Sequence, residues 1–138
     1  MDRLVADTEY SHVNLLEVED QSKNLGIDPA EFNIRFARVP LGCEHCGVSY
    51  LRFSPNRKAH GHRHKQQEEI YVLVHGSATM KVGDDVIELE PWSAVRVPPH
   101  VMRGIKSGPD GAEVIAIGAP NTGPGDGDAP DPNWTWDD

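Results

Sequence analysis

Residues 59–76 read AHGHRHKQQEEIYVLVHG. Three of the chain's seven histidines, His60, His62 and His64, fall here at every second position. Two carboxylates follow, Glu68 and Glu69, then the apolar run from Ile70 to Val74, His75 and Gly76. On an extended chain, side chains at i, i+2 and i+4 share a face. The segment therefore presents its imidazoles together if it is a strand. A carboxylate from the next strand can then close a metal site.

On both sides of this segment the pattern is β. Phe32 to Val39 alternates Phe32, Ile34 and Phe36 against Asn33, Arg35 and Ala37, which is period two. Val48 to Phe53 is a second strand, stopped by Ser54-Pro55-Asn56, and the histidine segment is a third. Ile70 to Val74 is apolar on both faces and predicts a buried central strand turned by His75-Gly76. Ser77–Val82 and Val86–Glu90 predict a hairpin around Gly83-Asp84-Asp85. Ala94 to Val97 is a short strand closed by Pro98-Pro99. Val101–Lys106 and Glu113–Ile117 are joined by a turn cluster at Ser107 to Gly111. About nine short strands without a convincing helix predict an all-β sandwich or barrel.

The flanks differ from this centre. Residues 1–31 form a polar arm with one apolar patch, Val13 to Val18, that suits a helical turn or an edge strand. Asp28-Pro29-Ala30-Glu31 carries a helix-start signature with room for a single turn. Residues 32–118 are the barrel, and 119–138 form a Pro-, Gly- and Asp-rich tail without regular structure of its own, whose Trp134 and Trp136 are expected to dock on the barrel or on a second subunit.

The 138-residue length fits one domain. A net charge of −9 argues against nucleic acid or an anionic membrane surface as partner. No secretory signal or membrane-spanning run is visible, so a cytoplasmic setting is expected by default. Cys43 and Cys46 make a lone CxxC, expected as free thiols: no helix N-terminus is expected there to activate them, and a zinc site would lack ligands.

His62-Arg63-His64, four residues, Glu69, six residues and Gly76 resemble the first motif of the cupins, HxH-x(3,4)-E-x(6)-G. Starting instead from His60 would put Gln67 at the carboxylate position, and Glu68 misses the spacing to Gly76. Glu88 to Pro99 resembles the second motif, with Ser93 where a glycine is usual. Where that motif expects a histidine, the chain has Arg103, and His100 sits three residues early. The resemblance spans roughly Phe32 to Gly118. It implies a double-stranded β-helix, the jelly-roll barrel, with a divalent transition metal (Zn, Fe, Mn, Ni or Cu) held by His62, His64 and Glu69. His100 is an alternative fourth ligand. It also implies a homodimer, in which the Val13–Val18 patch and the tryptophan tail are suspected of crossing between subunits.

Arg103 leaves three arrangements open. It points outward and leaves a three-ligand site; His100 substitutes for the missing histidine; or the site is empty and Arg103 pairs with Glu69 or Glu68. A guanidinium about 4 Å from a dication costs on the order of 8 kcal/mol at an effective dielectric near 20. Arg103, Tyr71, Arg52 and His60 are the candidates for contacting substrate. Two functions remain. One is a metal-dependent protein acting on a small polar molecule, with dioxygenase, isomerase and epimerase chemistries all open. The other is a metal-free module that binds a small anion through Arg103, a reading that an Arg103–Glu69 salt bridge would favour.

Overall fold

The computed structural model describes residues 10–122 and 126–127. Period-two alternation builds its strands. In β1 (Phe32–Phe36) and β2 (Gly47–Phe53) the residues Phe32, Ile34, Leu51 and Phe53 share the inward parity. The two strands pair antiparallel with Phe32 opposite Phe53 and Ile34 opposite Leu51, so inward side chains meet in rows. Four more strands follow: β3 (Glu68–Val82), β4 (Asp85–Leu89), β5 (Ala94–Val97) and β6 (Arg103–Ala119). Their order is β1-β2-β6-β3-β4, with β5 also on β3. Every pairing is antiparallel.

The fold turns on the long strands β3 and β6. Residues 68–76 of β3 pair with 112–119 of β6, and residues 78–82 pair with 103–107. The first stretch also carries β2 and β5, and the second carries β4. Between them the register slips at Leu73/His75 and at Gly76/Ala78. This corrects the sequence reading, which placed turns at His75-Gly76 and at Ser107 to Gly111. Both are bends inside continuous strands, and the histidine segment forms no strand of its own, so six strands replace nine among the described residues. The glycines are required there. Gly76 has φ +86° and Gly111 φ +74°, and a Cβ on Gly76 would sit 2.1 Å from the Gly111 carbonyl oxygen. The two bends nest because neither carries a side chain, and the paired strands fold over into a barrel.

Other expectations shift locally. β1 ends at Phe36, and Arg38–Leu41 forms a one-turn helix, α1, closed by Gly42 at φ 67°. The patch Val13 to Val18 yields a 3₁₀ turn at Leu15–Glu17, capped by Asn14. Asp28 starts a single turn, its side chain accepting from the Ala30 amide and its carbonyl from the Glu31 amide. The histidine segment is extended but joins no strand ladder; isolated bridges link His62 to Arg103 and His64 to Gly127. Trp134 and Trp136 lie outside the described residues.

The core gathers Phe32, Phe53, Tyr71, Leu73, Met80, Val97 and Val114. Full burial of an apolar side chain of this size contributes about 1.5–3 kcal/mol. Phe32 and Phe53 meet edge to face with ring centroids 5.1 Å apart. The central strand β3 is not buried on both faces as expected: Ile70 is 36% exposed. It pairs with Ile117, which pairs with Val48, so an apolar row crosses the outer sheet face. No helix among the described residues is long and apolar enough to cross a membrane.

Candidate metal centre

His62 and Arg103 exchange both backbone hydrogen bonds, each 2.9 Å. Directly opposite residues of an antiparallel pair project to the same face. Arg103 therefore enters the barrel beside His62. His64, two residues on, keeps that face, its amide donating to the Pro99 carbonyl at 2.9 Å. Glu69 and Tyr71 come from the inward row of β3. Donor atoms of His62, His64 and Glu69 all lie within 4.8 Å of one another.

The contacts converge on one oxygen, Glu69 Oε1. His64 Nε2 lies 2.9 Å from it, His62 Nε2 3.6 Å and Arg103 Nη1 2.8 Å. The Tyr71 hydroxyl donates to the same atom and sits 3.4 Å from His62 Nε2. Burial alone would raise the Glu69 pKa. Hydrogen bonds from His62, His64 and Tyr71, and the charge of His64, outweigh burial and hold the carboxyl well below the usual carboxylate range. Burial pushes the Tyr71 phenol well above its ordinary value, and the Glu69 charge adds to it. The hydrogen bond to Glu69 raises the His64 imidazole against its own burial.

Arg103 is fully buried. Its Nε donates to the Val101 carbonyl at 3.0 Å, and Nη2 to the carbonyls of Pro98 at 2.7 Å and Pro99 at 3.2 Å. Of the three arrangements open in the sequence, the structure takes the pairing of Arg103 with Glu69. Glu68 instead bonds Arg96 on the surface at 2.7 Å. His100 lies exposed on the turn after Pro99 and outside the cluster, so it is no fourth ligand here. Arg52 is also corrected. It takes the outward parity of β2, its Nε donating to Asn33 Oδ1 and its Nη2 to the Pro29 carbonyl, both at 2.8 Å. His60 is exposed and borders the barrel cavity.

Asp126 was missed. Its Oδ2 lies 3.1 Å from His64 Nδ1, and its carboxylate accepts from the amides of Gln66 at 2.9 Å and Gln67 at 3.2 Å. Burial would raise Asp126; those amides and His64 lower it instead. Nothing in the spacing marks an aspartate 62 residues downstream of His64.

The donor set fits a divalent metal. Ligands about 2.1 Å from a common ion stand about 3.0–3.4 Å apart at octahedral or tetrahedral angles. The His64–Glu69 and His62–Glu69 distances of 2.9 and 3.6 Å bracket that range. His64 Nε2 is buried and faces Glu69 Oε1 at 2.9 Å. With a metal bound and Nδ1 donating to Asp126, that nitrogen would present its lone pair to the ion, the carboxylate–histidine–metal pattern.

Two cavities flank the cluster. One, about 310 Å³, reaches His62, Tyr71 and Arg103 at its inner end; its walls are Ile27, Phe32, Ile34, Leu51, Phe53 and Ile105. The other, about 240 Å³, is bordered by His64 and Glu69 together with Phe36, Arg38, Ser49 and Gly118. Cys43 and Cys46 sit away from both as free thiols, Cys43 half-buried and Cys46 exposed.

An antiparallel jelly roll carrying two histidines and a glutamate on its inner face defines the class of the double-stranded β-helix. The fold is that of the cupins. No family model and no curated protein matches the sequence. A cupin protein from Bacteroides fragilis superposes with TM-score 0.65 at 19% identity, over 82% of this chain and 86% of that one. KdgF from a Halomonas species gives 0.65 at 18%, over 80% and 92%. Bacillus subtilis oxalate decarboxylase, described with Mn(II) centres, gives 0.69 at 15%, over 82% of this chain and 30% of that larger one.

Proposed function

We propose that this cupin holds a divalent transition metal through His62 Nε2, His64 Nε2 and Glu69 and acts on a small molecule admitted to the barrel. The observation that carries the reading is the convergence of His62, His64 and Glu69 donor atoms within 4.8 Å of one another, with the other nitrogen of His64 on Asp126. The Mn(II) centres of oxalate decarboxylase lie in the same fold and support it by analogy.

A bound metal would supply Lewis acidity, polarising an oxygen of the guest. The chain's own residues set the surroundings. Asp126 fixes the tautomer and plane of His64. The Tyr71 hydroxyl donates to Glu69 and lies within reach of a guest at the inner end of the larger cavity. Arg103 neutralises the glutamate and, through the carbonyls of Pro98 and Pro99, ties the second-motif turn to the site.

The Arg103–Glu69 salt bridge favours a second reading, the metal-free module for a small anion. Elemental analysis of untagged protein, before and after soaking with Zn²⁺, Mn²⁺ and Fe²⁺, separates the two. Less than about a tenth of an equivalent of each after soaking would leave the metal-free reading standing. The double variant His62→Ala, His64→Ala should abolish uptake, and His60→Ala should not. The apolar row Val48, Ile117 and Ile70 is our candidate for pairing two copies into a homodimer, tested by light scattering.

A further inference from the structure

We infer that the larger cavity binds a small amphipathic anion: a single carboxylate on an aromatic or branched aliphatic body. This deepens the proposed function and rests on it only for which end of the guest would react; binding itself requires no metal.

Volume and lining argue for the apolar body. At about 310 Å³ the cavity is at the small end of ligand sites, which run roughly 300–1,000 Å³. Phe32, Phe53 and Ile105 are buried core residues that also face it. A wholly polar guest would leave that surface unmatched and give up its own hydration.

Charge argues for the anion. The chain carries 22 acidic and 13 basic residues. Yet the cavity lining contains no aspartate or glutamate among the described residues, while Arg57, Lys58, Arg103 and the imidazoles of His60 and His62 all border it. A cavity basic in an otherwise acidic protein concentrates anions within it. Arg103 is committed to Glu69 and to three carbonyls. Arg57 is not. Its Nη1 lies 3.5 Å from Glu31 Oε1, long for a charge-assisted bond, and its buried Nε has no hydrogen-bond partner. Its guanidinium carbon stands 5.9 Å from the centroid of the Phe32 ring, which walls the cavity. Arg57 can therefore receive a carboxylate while the body lies along Phe32, leaving the far end at His62 and Tyr71.

The test is calorimetric titration of the intact protein with 3-phenylpropionate, its neutral amide and succinate, each with added Zn²⁺ and with EDTA. Phenylpropionate should bind in both metal states, with the amide and succinate at least about tenfold weaker, the scale of one charge-assisted contact. Arg57→Gln should weaken phenylpropionate about tenfold and leave the amide unchanged. Ala59→Trp, which fills the cavity, should abolish binding in a protein whose circular dichroism is unaltered. Amide or succinate binding as tightly as phenylpropionate would overturn the inference. So would no binding by the folded protein, or an affinity that Arg57→Gln leaves unchanged. A protein that takes up no metal yet binds phenylpropionate would refute the metal centre and leave this inference intact.

Discussion

Replacing Arg103 by histidine should convert the proposed three-ligand centre into a tighter four-ligand one. The guanidinium nitrogen Nη1 stands 2.8 Å from Glu69 Oε1. An ion bound to that oxygen at about 2.1 Å would lie about 4 Å from the guanidinium. Repulsion between a dication and a monocation at that separation is about 8 kcal/mol at an effective dielectric near 20. Water and the glutamate offset most of it; if a quarter survives, about 2 kcal/mol opposes the metal, or roughly 30-fold in affinity. Arg103→Gln should recover that factor by removing the charge. Arg103→His should exceed it, because an imidazole then enters beside His62. Zn²⁺ affinity measured against a competing chelator is the assay. The metal-free variants should also lose stability, about 3–5 kcal/mol, since Glu69 then lies buried without its cation. Zn²⁺ should restore the Arg103→His protein more than the parent in a thermal melt. A folded Arg103→His protein whose Zn²⁺ affinity is equal to or below the parent's would refute the reasoning.

Three further outcomes follow from other parts of the molecule. Asp126→Asn should weaken Zn²⁺ binding about 10–100-fold, the usual effect of losing a carboxylate behind a ligating histidine, while the barrel's circular dichroism stays unchanged. Gly76→Ala should destabilise by about 3 kcal/mol or more in urea denaturation, because the residue sits at φ +86° and its new Cβ would meet the Gly111 carbonyl at 2.1 Å. Burial alone would raise Asp20, but hydrogen bonds from Ser22, Ile34 and Asn33 outweigh it and hold the group at about 2, against an ordinary 3.8. Its stabilisation is present above pH 3.8 and is lost as pH falls toward 2; discounted for solvent exposure it is about 1 kcal/mol, and an acid titration of Asp20→Asn should lack it.

The clustering of His62, His64 and Glu69 was legible because its geometry is local. Period-two spacing puts His62 and His64 on one face, and a fixed interval brings Glu69 from the adjoining strand. Asp126 was not legible, because its contact closes 62 residues later, from a tail whose composition predicts no structure. The bends at Gly76 and Gly111 were misread because a glycine that lets two strands nest looks, in one dimension, like a glycine that ends them. Arg52 was within reach of the parity argument: it alternates with Leu51 and Phe53, which point inward, so it faces out. The apolar cavity was legible in the same way, as the shared inward face of Phe32, Ile34, Leu51 and Phe53, but no residue pattern states that a space remains between them.

The charge count at the centre connects Arg103 to the guest. With neutral imidazoles, Glu69 and Asp126 contribute −2 and Arg103 contributes +1, so the buried set carries −1. A histidine in place of Arg103 would leave −2, which a dication cancels with nothing left over. With Arg103 present, the same dication leaves +1, and a low-dielectric site with an uncancelled charge favours a counter-ion. Arg103 thus lowers the affinity for metal alone while leaving a charge that a carboxylate on Arg57, at the other end of the cavity, offsets at long range. Metal and anion should bind with positive coupling. By linkage, whatever factor phenylpropionate adds to Zn²⁺ affinity, Zn²⁺ must add to phenylpropionate affinity. In Arg103→His that coupling should collapse toward unity while Zn²⁺ affinity rises. The two effects have opposite signs, so a loosened fold cannot produce both. A coupling factor equal in parent and variant would show that Arg103 plays no part in joining the two sites.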